Sequence, residues 1–330
     1  MNKNKTMLNT VEEWTIRPNP FRQFVSAYGG IIIVLIAMFM LTAVLKPTFL
    51  RPTNLRGILT NSNDVFLAGF GMTFVILAAG IDLSQGSLSA MSGMIVAMLL
   101  LHGANFILAI TITIAVGALC GALNGALISV FKVPPFVVTL GTMGIFRGLA
   151  MTLNAGYSVA INMDNPIIQL ANGKIGVIPN VIIIIIAAYL LCYLILHKMN
   201  IGRDIYAIGG NKEAARLSGI SVIKTSIFAY ATCSALVALA GIVLAGRMYS
   251  GLPSASTGLE TRAVAAVILG GTSFTGGDGK IFGTIIGVLI MGVMLNAMVL
   301  FGLSSDTQEI VQGIIIIVAV IYDGLRKKTS

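Results

Sequence analysis

Charge is scarce in this sequence. Only 10% of its 330 residues are Asp, Glu, Lys or Arg, against 56% hydrophobic residues and a mean hydropathy of +0.94. Soluble domains carry roughly 25% charged residues, enough to coat a water-facing surface. A soluble enzyme is therefore excluded. Cysteine is equally sparse: Cys120, Cys192 and Cys233 all lie in apolar runs with no CxxC spacing, which leaves no disulfide framework and no zinc site. The two histidines, His102 and His197, sit at the ends of separate apolar stretches and read as boundary residues. No nucleophile–base pair or metal-ligand set emerges, so no catalytic residue is assigned.

What is present is apolar sequence in long runs. A bilayer core about 30 Å thick is crossed by a helix of roughly 20 apolar residues. Residues 1–28 are polar and read as a cytoplasmic N-terminal segment, because a signal peptide would begin its apolar run sooner. Residues 29–330 read as an all-α, polytopic transmembrane domain of about ten spans. The expected spans are Gly29–Leu45, Val65–Ala79, Leu88–Leu101, Ala104–Phe131, Phe136–Leu153, Ile178–His197, Thr225–Gly246, Thr261–Gly270, Ile281–Phe301 and Val311–Tyr322. Thr261–Gly270 is too short to cross alone.

The distribution of basic residues sets the orientation. With the N-terminus inside, fourteen of the 21 Lys and Arg fall on inner segments and four on outer ones (Lys46, Arg51, Arg56 and Lys174); Arg147, Arg247 and Arg262 lie in or against spans. Inner membrane proteins show this bias, so both termini are expected in the cytoplasm. The net charge of +9 then records orientation, and no nucleic-acid partner is called for.

Glycine is abundant and patterned. Gly117, Gly121 and Gly125 are four apart, as are Gly283 and Gly287, a spacing that lets helices approach closely in lipid. Both glycine-striped spans also carry an asparagine, Asn124 and Asn296. If spans two to five and seven to ten form an inverted repeat, these two helices are equivalents, as in transporters of that build.

The largest inner loop, about residues 198–224, contains the segment GRDIYAIGGNKEAARLSGISVIK. Glu213 to Ser218 suit a short helix, with Asn211 as its N-cap and Gly219 as a left-handed stop. On physical grounds it is either a solvated connector or a knob for a cytoplasmic partner. Gly276-Gly277-Asp278-Gly279-Lys280 resembles a phosphate loop superficially, but a Walker motif needs Ser or Thr after the lysine, and Ile281 follows Lys280. A tight glycine turn is the better reading.

Charged groups in lipid need a reason, since each costs roughly 2.5–3.5 kcal/mol at a helix centre. Asp82 follows span two, flanked by Ser84, Gln85 and Ser87, and suits a structural cap or a substrate contact. Arg147 falls within span five and must pair across helices or face water. Arg247 and Glu260 end neighbouring spans on the outer side, where an exposed latch or a docking point for a binding protein is expected.

Three stretches together carry a resemblance. Glu213-Ala214-Ala215 with Arg216 and then Gly219 resembles the coupling loop of ATP-binding-cassette importer permeases. Gly71-Met72-Thr73 through Gly80-Ile81-Asp82-Leu83-Ser84 and Gly86-Ser87 is similar to a signature of the ribose-type monosaccharide permeases. So is Ala265-Ala266-Val267 through Gly270-Gly271-Thr272-Ser273, Gly276-Gly277 and Gly279-Lys280.

The resemblance implies a permease in a bacterial inner membrane that moves a pentose or hexose inward by alternating access. It further implies a separate ATPase carrying the ATP and Mg, an extracytoplasmic sugar-binding protein, and a second permease subunit, identical or a sister. Glu213, Ala214, Ala215, Arg216 and Gly219 would couple to the ATPase. Gly80, Asp82, Ser84, Gly86, Gly270, Gly271, Gly276 and Gly277 would shape turns. The polar residues Asn124, Thr139, Thr142, Arg147 and Asn296 would line the pathway. An ion-coupled secondary transporter of a small polar solute is the alternative; its acidic candidates, Asp82 and Glu260, lie near span ends.

Overall fold

The computed structural model describes residues 20–328. Residues 1–19 of the expected N-terminal segment lie outside the described residues. The first helix, α1 (Pro20–Leu45), begins ahead of the expected Gly29 and leads through a short 3₁₀ turn (Pro47–Leu50) to α2 (Pro52–Asn61). There follow α3 (Asn63–Leu77), α4 (Gln85–Leu101), α5 (Phe106–Val130), α6 (Pro135–Thr152), α7 (Pro166–Asn172) and α8 (Asn180–Lys198). The inner loop forms α9 (Asn200–Gly210) and α10 (Lys212–Leu217). The chain ends with α11 (Val222–Arg247), α12 (Leu259–Leu269), α13 (Ile281–Leu300) and α14 (Ser305–Lys328). Two small antiparallel ladders complete the fold: β1 (Val159–Ala160) on β4 (Ser250–Gly251), and β2 (Lys174–Ile175) on β3 (Ile178–Pro179).

Among the described residues six helices (α1, α5, α6, α8, α11 and α13) are individually long and apolar enough to cross a bilayer. The expected spans that do not qualify are carried by α3, α4, α12 and α14; the first three are short. Their brevity has a common cause: the chain leaves helical geometry at residues 78–84 and again at 270–280. At the first break the main chain doubles back. Leu77 O accepts from Gly277 N at the inner end of α3, yet Gln85 Nε2 reaches Ala68 O, nine residues further up that helix. At 1.5 Å per residue, the stretch from 78 to 85 climbs about 13 Å beside α3. Leu88 therefore does not open a span level with the C-terminal end of α3; α4 starts partway along that helix.

Helices α3 and α11 form the core. Every residue of α3 from Val65 to Leu77 is buried, as expected for a helix apolar on all sides. Around α11 pack α3, α4 and α5. The glycine stripe of α5 is what admits α11: a Cβ on Gly125 would lie 2.7 Å from Ile227 Cα, and one on Gly121 would run into Tyr230 O. Leu119 and Leu123, on the opposite face, are exposed and suited to lipid. Gly283 and Gly287 of α13 similarly face the carbonyls of Gly270 and Ala266. Close packing at both stripes agrees with their spacing.

Candidate functional site at the helix break and the inner loop

Short polar residues hold the first break open. Asp82 is fully buried, and its Oδ1 accepts from the Ser84 amide at 2.9 Å and the Ser84 hydroxyl at 2.6 Å. This local turn shapes the entry to α4. Gln85 instead donates to Ala68 O at 3.1 Å and to Cys233 Sγ at 3.0 Å. Tyr230 of α11 donates to Ile81 O at 3.1 Å, which ties the unwound stretch to the core helix. Gly80 and Gly86 allow this: a Cβ on Gly80 would meet the Tyr230 hydroxyl at 2.5 Å, and one on Gly86 would strike the Glu260 carboxylate.

Glu260 overturns the expected latch. It is buried rather than exposed, and its Oε2 accepts from Gly86 N at 3.2 Å. A carboxylate here complements the positive N-terminal end of α4. Arg247 turns elsewhere, donating to Thr60 O and to Asn61 Oδ1. Arg262 pairs with Asp64 at 3.6 Å.

The five polar residues expected along the pathway separate into different settings. Asn124 and Thr139 come to the break: Asn124 Nδ2 donates to Ser84 Oγ at 3.2 Å, and Thr139 Oγ1 lies 3.5 Å from Ile81 O. Thr142 is buried one turn further on and donates back to Thr139 O. Arg147 lies in the C-terminal half of α6 and, rather than pairing with another helix, donates to two carbonyls of the loop before α12, Pro253 O at 2.7 Å and Ala255 O at 2.9 Å. Asn296 sits apart from these. It exchanges a reciprocal pair of amide hydrogen bonds with Asn54 of α2, at 2.8 and 2.9 Å.

Removing one partner of such a pair strands the other. Asn296→Leu is expected to destabilise the protein by about 1–3 kcal/mol, and Asn54→Leu added to it should recover most of that loss. Thermal unfolding of the two variants checks this; equal instability in both would contradict it.

On the inner side the loop is more helical than its composition suggested. The expected short helix is α10. Asn211 Oδ1 accepts from Ala214 N at 2.9 Å, and Glu213 pairs with Arg216 at 3.0 Å. Gly219 (φ +86°) ends it, with Gly219 N bonded to Arg216 O and Ile220 N to Ala215 O, the two-bond C-terminal motif that a left-handed residue makes. Ala215 is buried, whereas Glu213, Arg216 and Leu217 are exposed.

The preceding α9 carries an amphipathic pattern that the sequence reading passed over, Ile201, Ile205 and Ile208 at i, i+4 and i+7, and it buries Gly202, Ile205 and Ile208. It grips the second break. Tyr206 donates to Gly279 O at 2.9 Å, and Gly209 packs so closely that a Cβ there would meet Gly277 N at 2.6 Å. Gly276 and Gly277, both at positive φ, form the turn, and Gly277 N donates to Leu77 O at 3.0 Å. Gly271 is also left-handed, and Gly270 packs on Gly283 and Thr284 of α13. The turn reading of Gly276–Lys280 stands.

Burial, with the Asp278 carboxylate second, pushes the Tyr206 phenol up to about 12. The ordinary value is about 10, so its contribution to stability is whole below about pH 10 and is lost as pH rises toward 12. Tyr206→Phe is expected to cost about 1 kcal/mol at neutral pH. The gap between variant and parent should close as pH rises through that window, which denaturation across an alkaline series would test.

The matching family model covers residues 54–320 and is described as the permease component of a branched-chain amino acid transport system. The ribose import permease protein of Bacillus subtilis is 41% identical over 302 residues, covering 91% of this chain and 93% of that protein. The ribose import permease protein of Escherichia coli is 38% identical over 90% of this chain and 93% of that protein. The D-allose transport system permease protein of E. coli is 37% identical over 94% of this chain and 96% of its own length. No solved structure matches the chain.

Proposed function

The chain belongs to the family described as the permease component of branched-chain amino acid transport systems, and from this premise we propose that it is the membrane subunit of an ATP-binding-cassette importer for a monosaccharide. The sugar assignment rests on its relatives, whose names specify ribose, D-allose and L-arabinose. It is a transport component of the inner membrane and carries no enzyme activity of its own. ATP and Mg are bound and hydrolysed on a partner ATPase, and an extracytoplasmic binding protein delivers the sugar. A second permease subunit completes the pore, with lipid around the rest.

The finer arrangement is ten spans with both termini inside, in which short helices α3, α4 and α12 complete their crossings through the unwound stretches. Glycine-striped α5 and α13 are the counterparts of an inverted repeat. The observation that carries the mechanism is the continuous contact from α10 through α9 to both breaks. Closure of the ATPase moves α10. Because Tyr206 holds Gly279 and Gly277 holds Leu77, that movement reaches the inner ends of α3 and of the 270–280 turn together. Asn124, Thr139, Thr142 and Arg147 then face the sugar as the pathway opens, and Asn296 supports it from α13.

Reconstitution into vesicles with the ATPase and binding protein tests this. Ribose uptake should require ATP and persist when ion gradients are collapsed. Uptake that follows a proton or sodium gradient would establish the ion-coupled alternative instead. Asn124→Leu in a folded protein should lower uptake; unchanged uptake would remove it from the pathway.

A further inference from the structure

The break between α3 and α4 holds more hydrogen-bond acceptors than donors. While Asp82 Oδ1 is doubly bonded by Ser84, Asp82 Oδ2 has no hydrogen-bond partner. The Cys233 thiol stands beside this carboxylate, but a thiol is a weak donor. Gln85 Oε1 and Asn124 Oδ1 are likewise buried without partners, although the amide nitrogen of each is engaged.

Among the described residues nine buried side-chain atoms lack partners, and a third of them gather at this one place. Hydrogen bonds link the group. Asn124 reaches Ser84, Ser84 reaches Asp82, and Gln85 reaches Cys233. Asp82, Gln85 and Asn124 are all fully buried.

The local charges do not balance. The nearest other carboxylate is Glu260, which has the Gly86 amide and the Arg147 guanidinium to offset it. Neither ion pair found among the described residues involves Asp82. The N-terminus of α4 supplies about half a positive charge. A buried carboxylate is costly to keep ionised without a counter-charge, so it either takes up a proton or pairs with a cation.

We propose that this break is a binding site for one monovalent cation of sodium size, held at Asp82 Oδ2 with Gln85 Oε1 and Asn124 Oδ1 as neutral oxygen ligands. A single carboxylate with amide oxygens cancels one charge. A divalent ion calls for more acid ligands, and no cluster of three His, Cys, Asp or Glu occurs among the described residues. Unwound stretches between half-helices provide such sites for alkali cations elsewhere. The ion is structural. It fastens α4 to α5 and α11 at the break in this state and is not transported, so ATP remains the driving force.

The test uses the purified permease–ATPase complex, exchanged into choline chloride at constant ionic strength. Equilibrium binding of radioactive sodium should saturate near about one ion per permease chain, and sodium should raise the unfolding temperature where potassium and choline do not. Asp82→Asn should abolish sodium binding, and Gln85→Leu should weaken it about tenfold, a loss of some 1.4 kcal/mol. Failure of the unmodified complex to bind sodium above the choline baseline overturns the proposal, whether or not the variants fold. Stability that follows pH and ignores sodium also overturns it, and assigns a proton to the site. Sodium binding is measured without transport, so its outcome is separate from that of the sugar assignment.

Discussion

Glu213→Lys is expected to reduce ATP-driven sugar uptake by about tenfold or more, equivalent to at least ~1.4 kcal/mol at a docking contact, while leaving the membrane domain folded. The reason lies in where Glu213 points. It is exposed in the first turn of α10, and its one ion pair, with Arg216, spans a single turn in water. Such a pair contributes about 0.3–0.5 kcal/mol, and the favourable position at a helix N-terminus adds about as much again.

The elements that fix α10 in place are elsewhere. They are the Asn211 cap, buried Ala215 and the Gly219 stop. Charge reversal therefore alters the surface offered to the ATPase without unseating the helix. The measurement is paired: unfolding temperature of the variant, and ATP hydrolysis with uptake in vesicles. Normal uptake in the variant would show that α10 is a connector and not the coupling element.

The second large effect concerns stability. Gly121→Leu is expected to destabilise the protein by about 3 kcal/mol or more, at or beyond the upper end of ordinary overpacking. A Cβ at this position runs into the main-chain carbonyl of Tyr230 and lies 2.6 Å from Ser234 Cβ. Neither is the tip of a flexible side chain that can swing aside, so α5 and α11 must separate. In lipid no hydrophobic force compensates, because the tails solvate the parted surfaces as well as the helices do. Separation would also draw Asn124, one turn away, from Ser84. Gly144→Val on α6 is the control, since its site is exposed with no neighbour within 4 Å, and it should change stability by less than about 0.5 kcal/mol. Equal recovery of both variants as folded protein would refute the packing argument.

Features written in short sequence windows were legible, and those created by distant contacts were not. Asn211, Glu213 and Gly219 announce a capped helix because capping is decided within a few residues. The serines after Asp82 similarly announce a turn. By contrast, Glu260 was expected to be exposed since its local neighbours are ordinary span-end residues; what buries it is Gly86, 174 positions earlier in the chain. The Asn54–Asn296 pair spans 242 positions. Asn124 and Asn296, alike in sequence setting, are used at different places for the same reason. The glycine stripes revealed close packing but not the partner, and α9, though amphipathic through Ile201, Ile205 and Ile208, gave no sign that its role is to touch main chain.

The seam at Leu77, Gly277 and Gly209–Gly210 is main chain against main chain, with Tyr206 as a pin at one edge. Side-chain contacts can slide through intermediate packings, but a carbonyl–amide bond between two loops is either made or broken. A push arriving from α9 thus reaches two discontinuous helices through one indivisible joint. Neither can yield first. Single-molecule distances across the inner mouth should accordingly fall into two populations, with no long-lived species in which only one of the two stretches has moved.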